Sequence, residues 1–228
     1  MNKIISFSLW GNLPIYCKGA IENAKLQKQL YPDWKCRFYF DSSVPIDTIN
    51  QLNDLDVELV YMFDNFVGFK KLFWRFYVAS DLSVDRFIIR DCDSRLNLRE
   101  RIAVEEWEKS DKGFHIMRDN RFHGCKIMGG MWGGNGKIIF NIKQMIEKYI
   151  ENIKSTSNRN FYQIDQMFLS DVIWELFVKN NHIAHDDMKR ITGNENYFKV
   201  KLLNDGFVGQ VYDENNNPLS DNRINPLI

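Results

Sequence analysis

Two aspartates separated by one residue, Asp91 and Asp93, are the clearest candidates for a functional site in the sequence. They follow an apolar run at residues 87–89, which is typical of a strand buried on both faces. In an extended backbone, side chains two residues apart point to the same side, so the two carboxylates would converge. Adjacent anions repel each other unless a cation lies between them, and hard oxygen ligands suit Mg²⁺ or Mn²⁺. The pair therefore predicts a metal site that can also hold a diphosphate, although Asp-x-Asp also occurs by chance in loops.

The segments before this pair alternate between strand and helix patterns. Strands are predicted at residues 4–10, 34–40, 57–62 and 87–89, and helices at 18–30, 45–55 and 69–82. This β-α-β-α-β order indicates an α/β protein with a mostly parallel sheet covered by helices. In such sheets ligands bind beyond the carboxyl ends of the strands, which is where Asp91 and Asp93 fall. The turn after the first strand, at residues 9–11, falls at the same edge.

The second half continues the alternation around a glycine-dense stretch at residues 129–136. Helices are predicted at residues 99–109, 138–153 and 164–177, and short strands at 114–117 and 182–185. We interpret the glycines as a loop whose backbone approaches a ligand closely, with Trp132 stacking on a sugar ring. The alternative is a surface loop with a packed tryptophan. A P-loop is excluded because Met131 and Ile138 occupy positions that require Gly and Ser or Thr.

The composition restricts the class of protein. The 228 residues are 44% hydrophobic, 14% aromatic and 26% charged, which is typical of one globular domain with a sizeable core. Thirty basic residues balance thirty acidic ones, which argues against a nucleic-acid binder that relies on general electrostatics. The four cysteines form no Cys-x-x-Cys pair, so we expect reduced thiols. No run approaches the ~20 apolar residues of a membrane span, and no signal-peptide pattern opens the chain, so we expect a cytoplasmic protein.

Three further residues are candidates for the site. His185 ends the last predicted strand, and imidazole suits Mn²⁺-type ions alongside carboxylates, although a single histidine is more often structural. Asp165 begins a predicted helix, where aspartate is also favoured simply as a cap or dipole partner. Asp119 follows the strand at residues 114–117. No Gly-x-Ser-x-Gly nucleophile motif and no Gly-x-Gly-x-x-Gly after the first strand are present.

Several short segments occur in an order that resembles a known family. They are Leu9-Trp10-Gly11, Trp74-Arg75, Arg90-Asp91-Cys92-Asp93-Ser94, Gly129-Gly130-Met131-Trp132-Gly133, Asp165-Gln166 and His185. Over most of residues 1–190 this pattern resembles the metal-dependent, nucleotide-sugar glycosyltransferases of the GT-A fold, and two segments are similar to a little-characterised bacterial and viral group. The resemblance implies a Rossmann-like central sheet flanked by helices in one domain. Its parts would be a nucleotide-sugar half (about 1–97), an acceptor half (about 98–190) and a C-terminal arm (about 191–228).

The resemblance also implies a role for each matched residue. Asp93 would bind the metal directly, and Asp91 would contact the metal or the ribose. Leu9, Trp10 and Gly11 would line the base and ribose, and Arg75 would reach the donor sugar or diphosphate. Gly130 and Trp132 would contact the donor sugar or the acceptor, and Asp165 an acceptor hydroxyl. His185 would be a third metal ligand, and Arg90 and Ser94 would support the site.

The implied activity is a hexosyltransferase that uses Mn²⁺ or Mg²⁺, a UDP- or GDP-sugar, and a glycan, protein or lipid-linked acceptor. The His-x-x-Gly-x-x-Lys of some retaining relatives is absent, which leaves the role of His185 open. No inverting-type base motif is present either, so Asp165 and Asp119 both stay candidate bases and the stereochemistry is open. One alternative is a sugar-nucleotide nucleotidyltransferase, but such enzymes usually open with a Gly-rich loop, and residues 9–14 do not form one. Another alternative is a catalytically silent nucleotide-sugar-binding protein.

Overall fold

A computed structural model of the chain describes residues 1–156, 163–189, 191, 193, 195–202 and 206–219. The strands in this part are β1 (Lys3–Leu9), β2 (Lys35–Phe40), β3 (Glu58–Tyr61), β4 (Arg86–Ile89), β5 (Phe114–Arg118), β6 (Trp132–Asn135) and β7 (His182–Asp186). The helices are α1 (Pro14–Leu30), α2 (Ile46–Asp54), α3 (Leu98–Glu108), α4 (Ile142–Thr156) and α5 (Ile164–Phe168). A 3-10 segment spans Gly68–Ser80, and α5 continues as a π-helix over Leu169–Val178.

The strands form one mixed sheet in the order β3-β2-β1-β4-β6-β5-β7. β1 pairs in parallel with β2 and β4, β2 with β3, and β5 with β7. β6 runs antiparallel to both β4 and β5, so β5 and β7 point the same way as β1 to β4. The predicted α/β class with a mostly parallel sheet flanked by helices is therefore confirmed. The carboxyl ends of the parallel strands meet at one edge, which we call the carboxyl edge.

Several local predictions differ from the structure. The helix predicted at residues 138–153 begins only at Ile142. α1 begins at Pro14, four residues before the predicted start at residue 18, because proline fits the first helical position, where its missing N–H is not needed. The helix predicted at residues 69–82 is the 3-10 segment. The glycine-dense stretch is not a loop throughout, since its second half forms β6 inside the sheet. A Cβ atom on Gly133 would lie 2.5 Å from the carbonyl oxygen of Phe87, so glycine allows this strand to pack closely.

The two faces of the sheet bury separate hydrophobic clusters, and β1 contributes to both. Ile5, Phe7 and Leu9 pack with residues of α1 and α2 on one face. Ile4 belongs to the cluster on the other face, where the 3-10 segment packs. Because strand residues alternate between faces, Ser6 and Ser8 share the face of Ile4. Two hydroxyl groups of β1 are therefore directed at the 3-10 segment.

Two simpler findings bear on the expectations from composition. Over the described residues, no helix combines the length and the apolar character needed to cross a membrane. All four cysteines, which lie in this part of the chain, are free thiols. The expectation of unpaired cysteines is therefore met.

Candidate active site

Asp91 and Asp93 lie in a tight turn directly after β4, at the carboxyl edge. Ser94 closes this turn, because its amide and its hydroxyl both donate to the carbonyl oxygen of Asp91, at 3.3 and 2.9 Å. The side chain of Asp91 is 40% exposed. The supporting role expected for Ser94 agrees with these contacts. Arg90 points elsewhere, since its Nε lies 3.3 Å from the carboxylate of Glu100 on α3.

Arg75 joins two carboxylates that are far apart in the sequence. Its Nη1 donates to Asp91 Oδ1, and its Nη2 donates to Asp165 Oδ2 at 2.8 Å. The side chains of Arg75 and Asp165 are 4% and 3% exposed. Burial lowers the pKa of Arg75, but the charges of Asp91 and Asp165 outweigh it and leave the pKa raised. We call these three residues the Arg75 cluster.

The Arg75 cluster changes the expected roles of two residues. Arg75 is nearly inaccessible and bonds both carboxylates, so it holds them in place, whereas the sequence suggested that it reaches the donor. Burial raises the pKa of Asp165, although the Arg75 charge and a backbone hydrogen bond at Gln166 oppose this. Asp165 is thus an ion-paired, buried carboxylate beside Asp91. Of the two simpler interpretations of Asp165, a helix cap is not formed, since the N-cap residue of α5 is Gln163 and makes no side-chain cap, whereas a dipole partner is consistent with its place in the first turn.

Two glycines pack directly against this cluster. A Cβ atom on Gly130 would lie 1.9 Å from Asp91 Oδ2, and one on Gly129 would lie 2.6 Å from Asp165 Oδ2. Distances this short are not tolerated between non-bonded atoms, so a side chain at either position would displace the carboxylates of the cluster. The close backbone approach expected from the glycine-dense stretch is therefore present, but it is directed at the carboxylates of the site.

Trp132 is a core residue, which corrects the expectation that it stacks on a sugar. Its side chain is fully buried in β6. The indole packs edge-to-face on Phe76 and Phe87, with ring centroids 5.6 and 5.3 Å apart. The glycines around it signal a crowded central strand, and the sequence alone does not distinguish this from a ligand loop.

Asp93 has a strongly raised pKa. Burial and the charge of Asp91 raise its pKa to about 7, against the opposing charges of Arg75 and Arg95. Two close carboxylates without a cation are thus in an unfavourable state that an ion would relieve. No group of three His, Cys, Asp or Glu side chains arranged to hold a metal exists among the residues that the structure describes. The residues present fit an ion of the Mg²⁺ type, which takes one or two carboxylates and completes its shell with water and phosphate oxygens.

His185 is not brought to this pair, so the expectation of a third protein ligand is not supported. It is fully buried within β7. Its Nδ1 lies 3.0 Å from His115 Nε2, and its Nε2 lies 3.5 Å from Glu106 Oε2. Burial lowers the pKa of both histidines. The position at a strand end was read correctly, but the side chain points into the protein.

Asp119 is held by a different set of partners from Asp165. Arg99 grips it with Nε at 2.6 Å and Nη2 at 2.5 Å, and the amide of Val208 donates to it at 2.8 Å. Its side chain is 4% exposed. Burial raises the pKa of Asp119 even though Arg99 lies beside it. These contacts indicate an anchor for the C-terminal arm.

The turn after β1 presents its residues unequally. Leu9 is 1% exposed and its side chain belongs to the core, so only its main chain is available to a ligand. Trp10 is half-buried and packs edge-to-face on Trp74, with centroids 6.4 Å apart. Gly11 has a φ of 74°, and its amide donates to Ser43 Oγ at 2.7 Å. Trp10 therefore places a half-buried ring at the carboxyl edge. The amide and the carbonyl oxygen of Gly11 are engaged by Ser43 and Cys17, but no atom lies within 4 Å of where its Cβ would be, so its backbone is open at Cα.

The C-terminal arm contacts the turn that carries Asp91 and Asp93, a feature that the sequence did not predict. The amide of Tyr212 donates to the carbonyl oxygen of Asp93 at 2.9 Å, and Val211 forms a β-bridge with Ser94. The Arg95 guanidinium lies 5.3 Å from the centre of the Tyr212 ring and donates to Asn216 at 2.9 Å. The only available signal was the apolar pattern of residues 207–212.

A cavity of about 410 Å³ lies at the same edge, beyond β5 and β7. Its walls come from the start of α3, the ends of these two strands and the arm. The residues that line it are Arg99, Arg118, Asp119, Asn120, Arg121, Asp187, Met188, Lys201, Leu202, Gly206 and Phe207. A cavity of this size lies within the range of small-molecule sites.

Comparisons with known proteins bear on the fold. No protein-family model matches the chain, and no curated protein does. A glycosyltransferase involved in the glycosylation of the major capsid of PBCV-1 aligns with a TM-score of 0.51 and 12% identity, over 82% of this chain and 82% of that chain. The galactosyltransferase LgtC, solved with donor and acceptor sugar analogs, gives 0.47 and 15%, over 81% and 73%. The mannosyltransferase PcManGT from Pyrobaculum calidifontis, solved with GDP-Man and Mn²⁺, gives 0.44 and 11%, over 64% and 46%.

At these identities the comparisons establish architecture. The match to the PBCV-1 protein extends over most of both chains, so the protein has the GT-A glycosyltransferase fold. Sites on one fold can serve different chemistries, so function has to be argued from the residues themselves.

Proposed function

We propose that the protein is a metal-dependent glycosyltransferase that moves a sugar from a UDP- or GDP-sugar to a glycan, protein or lipid-linked acceptor. The observation that carries the proposal is the Arg75 cluster beside Asp93 at the carboxyl edge of a GT-A sheet. This edge is where open α/β sheets bind ligands. An ion-paired arginine in the core of the site keeps the geometry of its carboxylates fixed, as diphosphate binding requires.

Asp93 and Asp91 are the residues that would hold Mn²⁺ or Mg²⁺. The raised pKa of Asp93 means that ion binding replaces a proton on this carboxyl near neutral pH. Asp91 keeps Oδ1 on Arg75, and its partly exposed carboxylate would also help to hold the ion. When bound, the ion would neutralise negative charge on the departing nucleoside diphosphate.

The donor would occupy the part built from residues 1–97. Trp10 offers its ring, and Gly11 its backbone, to the base and ribose. Arg75 would not contact the donor itself, because its side chain is buried, but would hold Asp91 and Asp165 in place. Gly130 allows the chain to pass close to Asp91 without a side chain in between.

The acceptor would enter through the cavity beyond β5 and β7, whose walls also include the start of α3 and the arm. Of the two candidate bases, Asp165 belongs to the Arg75 cluster, whereas Asp119 holds the arm. We therefore assign to Asp165 the role of orienting Asp91 through Arg75. Asp119 lines the cavity, but Arg99 and the arm hold its carboxylate, so we assign it a structural role.

The test is turnover of UDP- and GDP-sugars with Mn²⁺ or Mg²⁺, measured as release of nucleoside diphosphate. We expect hydrolysis or transfer with one donor, and loss of at least ~10²-fold in Asp93→Ala, because a metal ligand is removed. Asp85→Ala is the matched control, since Asp85 is a carboxylate just before β4, at the opposite end of the same strand. Absence of turnover and of binding with every donor would refute the proposal.

Two other outcomes would favour the alternatives. Release of pyrophosphate from a nucleoside triphosphate and a sugar phosphate would indicate a nucleotidyltransferase. A thermal shift with Mn²⁺ and a nucleotide sugar, without turnover, would indicate a binding protein.

A further inference from the structure

Two serines inside β1 contact the backbone of Arg75. The hydroxyl of Ser6 donates to the carbonyl oxygen of Arg75 at 2.7 Å, and the amide of Arg75 donates to Ser8 Oγ at 2.9 Å. Ser6 is fully buried and Ser8 is 7% exposed. A hydroxyl in a buried strand needs a hydrogen-bond partner, and both serines find theirs on the same residue.

The Ser8 hydroxyl binds both ends of one turn of the 3-10 segment. It accepts from the amide of Arg75 and donates to the carbonyl oxygen of Leu72 at 3.3 Å. In a 3-10 helix these two groups, three residues apart, are the ones that pair with each other. A side chain inserted at such a turn fixes the local backbone path. Ser8 thereby fixes the backbone position from which the Arg75 side chain extends.

The main chain of the same two serines contacts the segment that carries Asp91, the partner of Arg75 in the ion pair. The amide of Arg90 donates to the carbonyl oxygen of Ser6 at 3.0 Å, and Cys92 Sγ donates to that of Ser8 at 3.3 Å. Arg90 and Cys92 flank Asp91 in the sequence. The short strand segment from Ser6 to Ser8 thus contacts both partners of the Arg75–Asp91 ion pair.

We propose that Ser6 and Ser8 are positioning residues of the donor site. Their hydroxyls set the backbone of Arg75, and Arg75 in turn holds the carboxylate of Asp91, which would contact the metal. This inference rests on the proposed function. A misplacement of about 1 Å in a site of this kind lowers the rate ~10²-fold. Because the surrounding core limits the shift, we expect the loss of one hydroxyl to have a smaller effect, about a tenfold decrease in nucleotide affinity.

The experiment compares Ser8→Ala with Ser80→Ala. Ser80 ends the same 3-10 segment, and its hydroxyl also makes two bonds, donating to Ile139 O and accepting from Ile142 N, both at 2.9 Å. Binding of UDP and GDP in the presence of Mn²⁺ is measured by titration calorimetry, with melting temperatures alongside. We expect about tenfold weaker binding in Ser8→Ala, recovery in Ser8→Thr, and wild-type affinity in Ser80→Ala despite a similar loss of melting temperature.

A double variant provides the second readout. If Ser8 acts through Arg75, adding Ser8→Ala to Arg75→Lys weakens binding no further, because the shared interaction is already disturbed. Additive effects, or equal weakening by Ser8→Ala and Ser80→Ala, would overturn the inference. Should Ser8→Ala fail to fold, Ser6→Ala, which loses a single bond, replaces it. Wild-type protein that binds neither nucleotide overturns the proposed function as well, whereas equal binding by wild type and Ser8→Ala overturns only the positioning role.

Discussion

Replacing Arg75 with methionine would leave Asp165 as a buried carboxylate without a counter-charge. The Asp165 side chain is 3% exposed, and Arg75 Nη2 lies 2.8 Å from it. Asp91, the other partner, is 40% exposed and keeps its contact with water. Removing one partner of a buried ion pair costs about 3–5 kcal/mol, nearly all of which we assign to Asp165.

Arg37 provides a matched control, since it also binds two carboxylates. Its Nε lies 2.6 Å from Glu58 Oε2 and its Nη1 lies 2.6 Å from Asp81 Oδ2. Those carboxylates are 32% and 30% exposed, so water can replace the guanidinium. We expect Arg37→Met to cost only about 1 kcal/mol.

The assay is urea denaturation at pH 7.5 in EDTA, which gives the free energy of unfolding for each variant. Adding Asp165→Asn to Arg75→Met should recover about 2–3 kcal/mol, because the unpaired charge disappears. The cost of Arg75→Met should also shrink as the pH falls. Burial raises the pKa of Asp165 above its value in the unfolded chain. Its ionised form therefore destabilises the fold fully at a pH above the raised pKa, and this cost is absent at a pH below the pKa of the unfolded chain. Equal costs for Arg75→Met and Arg37→Met, or simple additivity in the double variant, would refute the reasoning.

Three further predictions concern single substitutions. Gly130→Ala should abolish Mn²⁺–nucleotide binding, because its Cβ would lie 1.9 Å from Asp91 Oδ2, whereas Gly124→Ala, which meets no atom within 4 Å, should bind normally. Asp93→Asn should raise the stability of the metal-free protein at pH 8 by at most about 4 kcal/mol and leave it unchanged near pH 3. The reason is that the pKa of Asp93 is raised to about 7, so the wild type loses stability as the pH rises towards that value; urea denaturation at several pH values that shows a difference independent of pH would contradict this. Asp119→Asn should speed amide exchange in the C-terminal arm, measured by mass spectrometry, while unchanged exchange would argue against its anchoring role.

Much of the architecture was predictable because it follows from local patterns. The alternation of β1, α1, β2, α2 and β3, and the turn with Asp91 and Asp93 after a buried strand, are visible as apolar periodicity and its interruption. Conformational detail within a helix was not predictable, since the 3-10 geometry at residues 68–80 depends on contacts with Ser6 and Ser8. The antiparallel insertion of β6 between β4 and β5 was also invisible, because glycine-rich strands carry no strand signal.

The site divides in the same way. The sequence by itself determined that two adjacent carboxylates lie at the carboxyl edge, because their spacing and the preceding strand are local properties. Only the tertiary structure decided which distant residues join them. It brought Asp165 to Arg75 and the arm to Asp93, and it directed Trp132 and His185 into the core. The direction of a side chain is set by how elements pack against each other, and that packing has no counterpart in the spacing of residues along the chain.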